Sequence, residues 1–98
     1  MFVPVLLKIS KVIVMANFVY MVRCKDNSIY TGWTTDLKRR IEQHNNEEGA
    51  KYTRGRTPVK LEYYEKCETR SKALKREHEI KGLKKAEKER LIKEFHGF

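Results

Sequence analysis

Residues 18–33, FVYMVRCKDNSIYTGW, constrain the fold more than any other stretch of the chain. A run of apolar and aromatic residues meets KDNS, which is turn chemistry, and a second β-rich run follows at once. A connection this short admits only antiparallel pairing, so the two runs form a hairpin. Thr34, Thr35 or Asp36 then offers a cap for a helix that has Leu37 and Ile41 as its apolar edge and ends at Asn45 and Asn46. EEGAKYTRGRTP reads as a loop, broken by its glycines and by Pro58.

VKLEYYEKC, residues 59–67, sets Val59, Leu61 and Tyr63 against polar partners, which predicts a third strand with one buried face. Thr69 or Ser71 caps a helix running to about Lys81, and Gly82 stops it. LKKAEKERLIKEF makes a last helix on Leu83, Ala86, Leu91 and Ile92. The expected order is β-β-α-β-α-α, an α/β (α+β) domain over residues 17–98 with a small three-stranded antiparallel sheet flanked by three helices. Residues 1–16 form an N-terminal extension, with Met15 as a candidate true start; the competing reading is an extra edge strand. Lys8 and Lys11 interrupt its apolar run, which is short of the roughly 20 residues a membrane span needs.

Lys and Arg total 22 against 13 Asp and Glu, a net charge of +9, which favours a polyanionic partner and makes nucleic acid the first expectation. Cys24 and Cys67 lack metal-ligand spacing and a secretion signal, so reduced thiols in a cytoplasmic protein are expected.

Several residues break the bland pattern. Stepping about 100° per residue along the helix at 70–81 puts Ala73, Leu74 and Ile80 inward with Glu77 between them. A carboxylate in an apolar stripe requires a partner, because an unpaired buried ion costs several kcal/mol. Arg40, a lysine or a bound cation would serve. Arg40 and His44 lie four apart along one edge of the first helix, where Arg40 presents a planar fork suited to phosphate and His44 can exchange a proton near neutral pH. Tyr20 and Tyr30 sit on adjacent strands, an ordinary cross-strand pair taken alone, and Gly32 leaves room for a close approach of backbone or phosphate. Together these groups converge on one edge of one small sheet, as a phosphodiester site would require.

On these residues the chain resembles the GIY-YIG nuclease family, in its small stand-alone single-domain bacterial form, over about residues 17–94. The first signature triplet stands here as Phe18-Val19-Tyr20 and the second as Tyr30-Thr31-Gly32. The family's arginine falls on Arg40, its histidine on His44, and its glutamate on Glu77 after Ala73-Leu74. The first triplet lacks the usual glycine and isoleucine, and Thr31 replaces the second isoleucine, while both tyrosines and Gly32 remain.

The resemblance implies metal-dependent hydrolysis of a phosphodiester by in-line attack of water. Glu77 would hold one divalent cation, with Mg²⁺ expected because it takes hard oxygen ligands and often only one or two carboxylates. Arg40 would clamp the scissile phosphate. Tyr30 is the expected general base, with Tyr20 and His44 as alternatives that orient the water or relay the proton. Lys38, Arg39, Lys51, Arg54 and Arg56 would contact phosphates, and Tyr52 would stack on an exposed base. The charges of the last helix alternate in sign like a solvated face and are left out of the site. DNA is expected over RNA, with branched, nicked or distorted structures as substrates. Many family nucleases carry a separate DNA-binding module; none is expected here, so a targeting protein partner is a further expectation. The alternative is a non-catalytic nucleic-acid-binding module on the same fold.

Overall fold

The computed structural model describes residues 16–97. The expectation of an N-terminal extension, and of a start at Met15, therefore lies outside the described residues apart from Ala16. Three strands, β1 (Asn17–Arg23), β2 (Ile29–Thr34) and β3 (Lys60–Cys67), form one antiparallel sheet in the order β2-β1-β3. Three helices, α1 (Leu37–Asn45), α2 (Arg70–Lys81) and α3 (Lys85–Lys93), complete the expected order, and a single 3-10 turn at Lys51–Thr53 lies within the predicted loop.

Local chemistry explains most boundaries. In the hairpin turn the Asp26 carboxylate accepts from the Ser28 N–H at 3.0 Å, and Asn27 takes φ 70°, a left-handed conformation that asparagine tolerates. Asp36, among the three candidates, caps α1 by accepting from the Arg39 N–H at 3.1 Å. Thr69 does the same for α2 through the Lys72 N–H at 3.1 Å. At the start of α3 the Glu87 carboxylate accepts from the Lys84 N–H at 2.9 Å.

The sheet is covered on both sides. Tyr20, Val22, Cys24 and Val59 form one core with Leu37 and Ile41 of α1; Val19, Met21, Tyr63, Ala73 and Ile80 form the other with Leu83, Leu91 and Ile92 of the α2–α3 end. Central β1 is buried on both faces, which is why it reads as a continuous apolar run.

Three expectations are corrected. The alternation of β3 does not bury a single face: a register shift between Met21 and Val22 leaves Glu62 as the extra residue, so Val59 and Leu61 face α1 while Tyr63 faces α2 and α3. Leu74 is exposed, and the inward stripe of α2 is Ala73 and Ile80. Ala86 is also exposed, and α3 packs through Leu91 and Ile92. Cys24 and Cys67 are both free, and among the described residues no helix is long and apolar enough to cross a membrane.

Candidate active site

Tyr20 enters the site from the middle of β1 with its side chain fully buried. Its hydroxyl lies 2.7 Å from Nε2 of His44, also fully buried, and accepts from Nε of Arg40 at 3.3 Å. The other histidine nitrogen, Nδ1, lies 2.8 Å from Oγ1 of Thr53, and Oγ1 in turn donates to the Ala50 carbonyl at 2.9 Å. That geometry assigns every proton. The Thr53 hydroxyl gives its one proton to Ala50, so it accepts from Nδ1–H; Nε2 is then unprotonated and accepts from the Tyr20 hydroxyl. Arg40, Tyr20, His44, Thr53 and Ala50 thus form one directed chain running from α1 through β1 to the loop.

Burial sets the electrostatics of this chain. Desolvation, helped by the neighbouring Arg40 charge, pulls His44 down to about 4, so the imidazole is neutral at pH 7. Desolvation likewise pushes Tyr20 up to about 12; Arg40 opposes the rise, and Tyr30 and Glu77 add to it. The expectation that His44 lies at the core's border and exchanges a proton near neutrality is corrected: the ring is enclosed and holds a single tautomer. Gly49 packs against it so closely that a Cβ there would fall 2.3 Å from Nδ1.

The second part of the site lies at β2, an edge strand of the sheet among the described residues. Helix α2 packs on the face of the sheet opposite α1, and its Glu77 side chain stays partly exposed. Its carboxylate pairs with Lys81 at 3.3 Å, one turn on, and the Lys81 ammonium also sits 5.8 Å from the centre of the Tyr30 ring. The partner of the inward carboxylate is therefore a lysine of its own helix. Tyr30 is half-buried, with its ring 6.4 Å from that of Tyr20 and 5.5 Å from that of His44, and its hydroxyl makes no hydrogen bond among the described residues. Arg40 spends Nε on Tyr20 and Nη1 on Gln43, at 3.1 Å, leaving Nη2 without a partner among the described residues.

Around the rim, Tyr52 stacks on Tyr30 at 6.0 Å and 20°, and the Arg56 guanidinium lies 4.2 Å from the centre of the Tyr52 ring. Arg56 is further held by the Tyr52 carbonyl and the Asp26 carboxylate. Lys38 and Arg39 stand exposed on the first turn of α1, and Lys51 and Arg54 stand exposed in the loop. Gly32 serves Tyr20: a Cβ at this position would fall 2.6 Å from the tyrosine hydroxyl, so the room it leaves is filled by that ring.

Three residues escaped the sequence reading. Thr53, the histidine's anchor, carries no local pattern. Lys81 was legible as an i,i+4 partner of Glu77. Lys88 lines a cleft of about 320 Å³ with Ile29, Tyr30, Thr31, Tyr52 and Lys81, so the charge alternation of α3 concealed one residue that faces the site.

A divalent cation would find one carboxylate here, Glu77; among the described residues no group of three or more His, Cys, Asp and Glu side chains gathers to hold a metal. That donor set does not suit a closed protein cage. It fits a hard cation that keeps its waters and takes further oxygens from a substrate phosphate.

Comparison with known proteins accords with this geometry. The GIY-YIG catalytic domain matches residues 16–90. A UPF0213 protein of Haloquadratum walsbyi is 56% identical over 78 residues, covering 80% of this chain and 88% of its own. Another from Staphylococcus aureus is 54% identical over 79 residues, covering 81% and 96%. The solution structure of a UPF0213 protein from Bacillus halodurans has a TM-score of 0.55 at 43% identity, over 85% of this chain and 88% of that one. A second solution structure, of a protein from E. faecalis, gives 0.56 at 40% identity, over 85% and 93%. With that match and these identities, the chain belongs to the GIY-YIG family, a nuclease-type fold, and to its small UPF0213 group.

Proposed function

We propose that this protein is a metal-dependent endonuclease that hydrolyses phosphodiester bonds of DNA, acting on branched, nicked or distorted structures. The observation that carries the reading is the continuity of the β2 edge: Arg40 touches Tyr20, Tyr20 lies beside Tyr30, and Lys81 bridges Tyr30 to Glu77. The free Nη2 of Arg40 holds the scissile phosphate and offsets charge that develops on it. Tyr30, in its ionised form after giving its own proton to solvent, takes the proton of the attacking water; its hydroxyl is uncommitted while that of Tyr20 is tied at both ends. Tyr20 and His44 orient the arginine. Glu77 is the residue that would hold Mg²⁺, whose chemistry is to stabilise the leaving oxygen. Lys38, Arg39, Lys51, Arg54 and Arg56 supply sequence-independent phosphate contacts, and Tyr52 supplies a stacking face.

A second reading, a non-catalytic binder on the same fold, draws support from the Lys81–Glu77 pair, which already gives the carboxylate a partner. Incubation of the pure protein with supercoiled plasmid and with junction DNA, with Mg²⁺ or with chelator, separates the two. Metal-dependent cutting that falls by about a hundredfold or more in Glu77→Gln, with binding retained, supports the nuclease. Binding without cutting on any substrate overturns it in favour of the binder.

A further inference from the structure

We infer that the cleft beside Tyr30 is a subsite for a second backbone phosphate, belonging to the strand whose neighbouring phosphate lies at Arg40 and Glu77. The inference takes its strand from the nuclease reading, but it rests on different residues. Lys81 of α2 and Lys88 of α3 bring two ammonium groups from two helices into one cleft at the β2 edge. Lys85, one turn before Lys88 on the same side of α3, donates to the Asn27 carbonyl at 2.9 Å and so fastens this helix to the hairpin turn that carries Tyr30.

The state of Lys88 is the telling feature. Arg23, Lys72 and Arg76 are each paired with carboxylates, whereas the half-buried Lys88 makes no ion pair or side-chain hydrogen bond among the described residues. A partly desolvated ammonium without a counter-charge favours an anion in its cleft. Thr31, in the same wall and 2% exposed, has a hydroxyl with no hydrogen-bond partner, an arrangement that costs about 1–3 kcal/mol unless a ligand supplies one. Phosphate oxygens accept from ammonium and hydroxyl groups alike, so one anion answers both.

The surroundings point to a phosphate within a polynucleotide. Tyr52, stacked on Tyr30 and 42% exposed at the mouth of the cleft, carries an aromatic ring that a base can reach by displacing the Arg56 guanidinium 4.2 Å from its centre. Tyr30 belongs both to this cleft and to the group around Tyr20, so a strand held by Lys88 passes directly over the proposed reaction centre.

The test is the affinity of the full chain for a short labelled DNA strand, read by fluorescence anisotropy in chelator so that no cutting intervenes. Lys88→Ala should weaken binding about three- to tenfold, whatever the sequence of the strand, and lower the slope of log affinity against log salt by about 1. Lys88→Arg should bind like wild type. Lys93→Ala, an equal loss of charge on an exposed part of α3, should change affinity less than twofold. Equal losses from Lys88→Ala and Lys93→Ala, in proteins with unchanged thermal midpoints, would overturn the subsite and leave only diffuse attraction. Inorganic phosphate that binds Lys88→Ala and wild type alike, while displacing the strand from both at the same concentration, would overturn the subsite. Because binding alone is read, a wild-type protein that never cuts would defeat the nuclease reading without touching this result, and a cutting protein indifferent to Lys88 would do the reverse.

Discussion

On one side of Tyr30 lies an enclosed chain, Arg40 to Tyr20 to His44 to Thr53, in which the tyrosine, histidine and threonine are fully buried and each polar atom has a partner. On the other lies an open cleft where Lys88, the Tyr30 hydroxyl and the Thr31 hydroxyl have none among the described residues. Low dielectric makes an incomplete buried network expensive, so the enclosed half holds one geometry. Solvent makes the unpaired ammonium of Lys88 and hydroxyl of Tyr30 inexpensive at the rim, while the buried Thr31 hydroxyl stays unpaired at a cost, so the open half keeps its donors for a ligand. Arg40 stands between them, with Nε and Nη1 tied inward and Nη2 free.

If that division is right, substitutions in the two halves separate cleanly. The largest expected effect belongs to the residue shared by both: Arg40→Ala should cost about a hundredfold to a thousandfold in kcat, read by single-turnover cleavage. A loss confined to KM would place the guanidinium in binding alone.

The next effect is one of pH on stability and belongs to the enclosed half. An unfolded histidine gains its proton near 6.5, while His44 in the fold does so only at about 4. Below 6.5 the unfolded chain binds the proton that the folded chain refuses. Stability is therefore full above 6.5 and falls as the pH drops toward 4, by about 3 kcal/mol from this group. Denaturant melts across that range should show the slope, and His44→Gln should flatten it. Persistence of the slope in that variant would assign it to the carboxylates. Nitrogen chemical shifts should report a neutral, Nδ1-protonated ring throughout the upper part of the range.

Thr53→Val leaves the His44 Nδ1–H without an acceptor and should destabilise the fold by about 1–3 kcal/mol, with DNA affinity in chelator unchanged. Tyr52→Ala reverses the pattern. It should leave the thermal midpoint nearly unmoved and weaken binding of a strand with unpaired bases by about 1–2 kcal/mol. If both variants lose stability and affinity together, the two halves are one unit.

Legibility in the sequence followed the same division. The hairpin, the caps at Asp36 and Thr69 and the element order depend on neighbours a few residues apart, and they are as the sequence predicts. Tyr20, Tyr30, Arg40 and His44, set at intervals in the chain, lie in contact with one another in the fold. The bulge at Glu62 was hidden because Val59, Leu61 and Tyr63 keep a perfect period of two in the sequence while the backbone does not. Leu74 misled because an apolar residue at helical spacing is ordinarily buried. Lys88 was hidden because solvated and site-facing lysines look alike in a run of alternating charge.

By itself the chain determined which side chains are available and in what order, since turns, caps and hydrophobic period act over a few residues. Only the tertiary structure decided what those side chains are like chemically. Enclosure by α1 and the loop makes His44 neutral, the edge position of β2 among the described residues lets Lys81, the partner of Glu77, reach the Tyr30 ring, and the fastening of α3 to the hairpin turn brings Lys88 to the cleft. Desolvation and proximity depend on everything that surrounds a group, and no short stretch of residues contains that information.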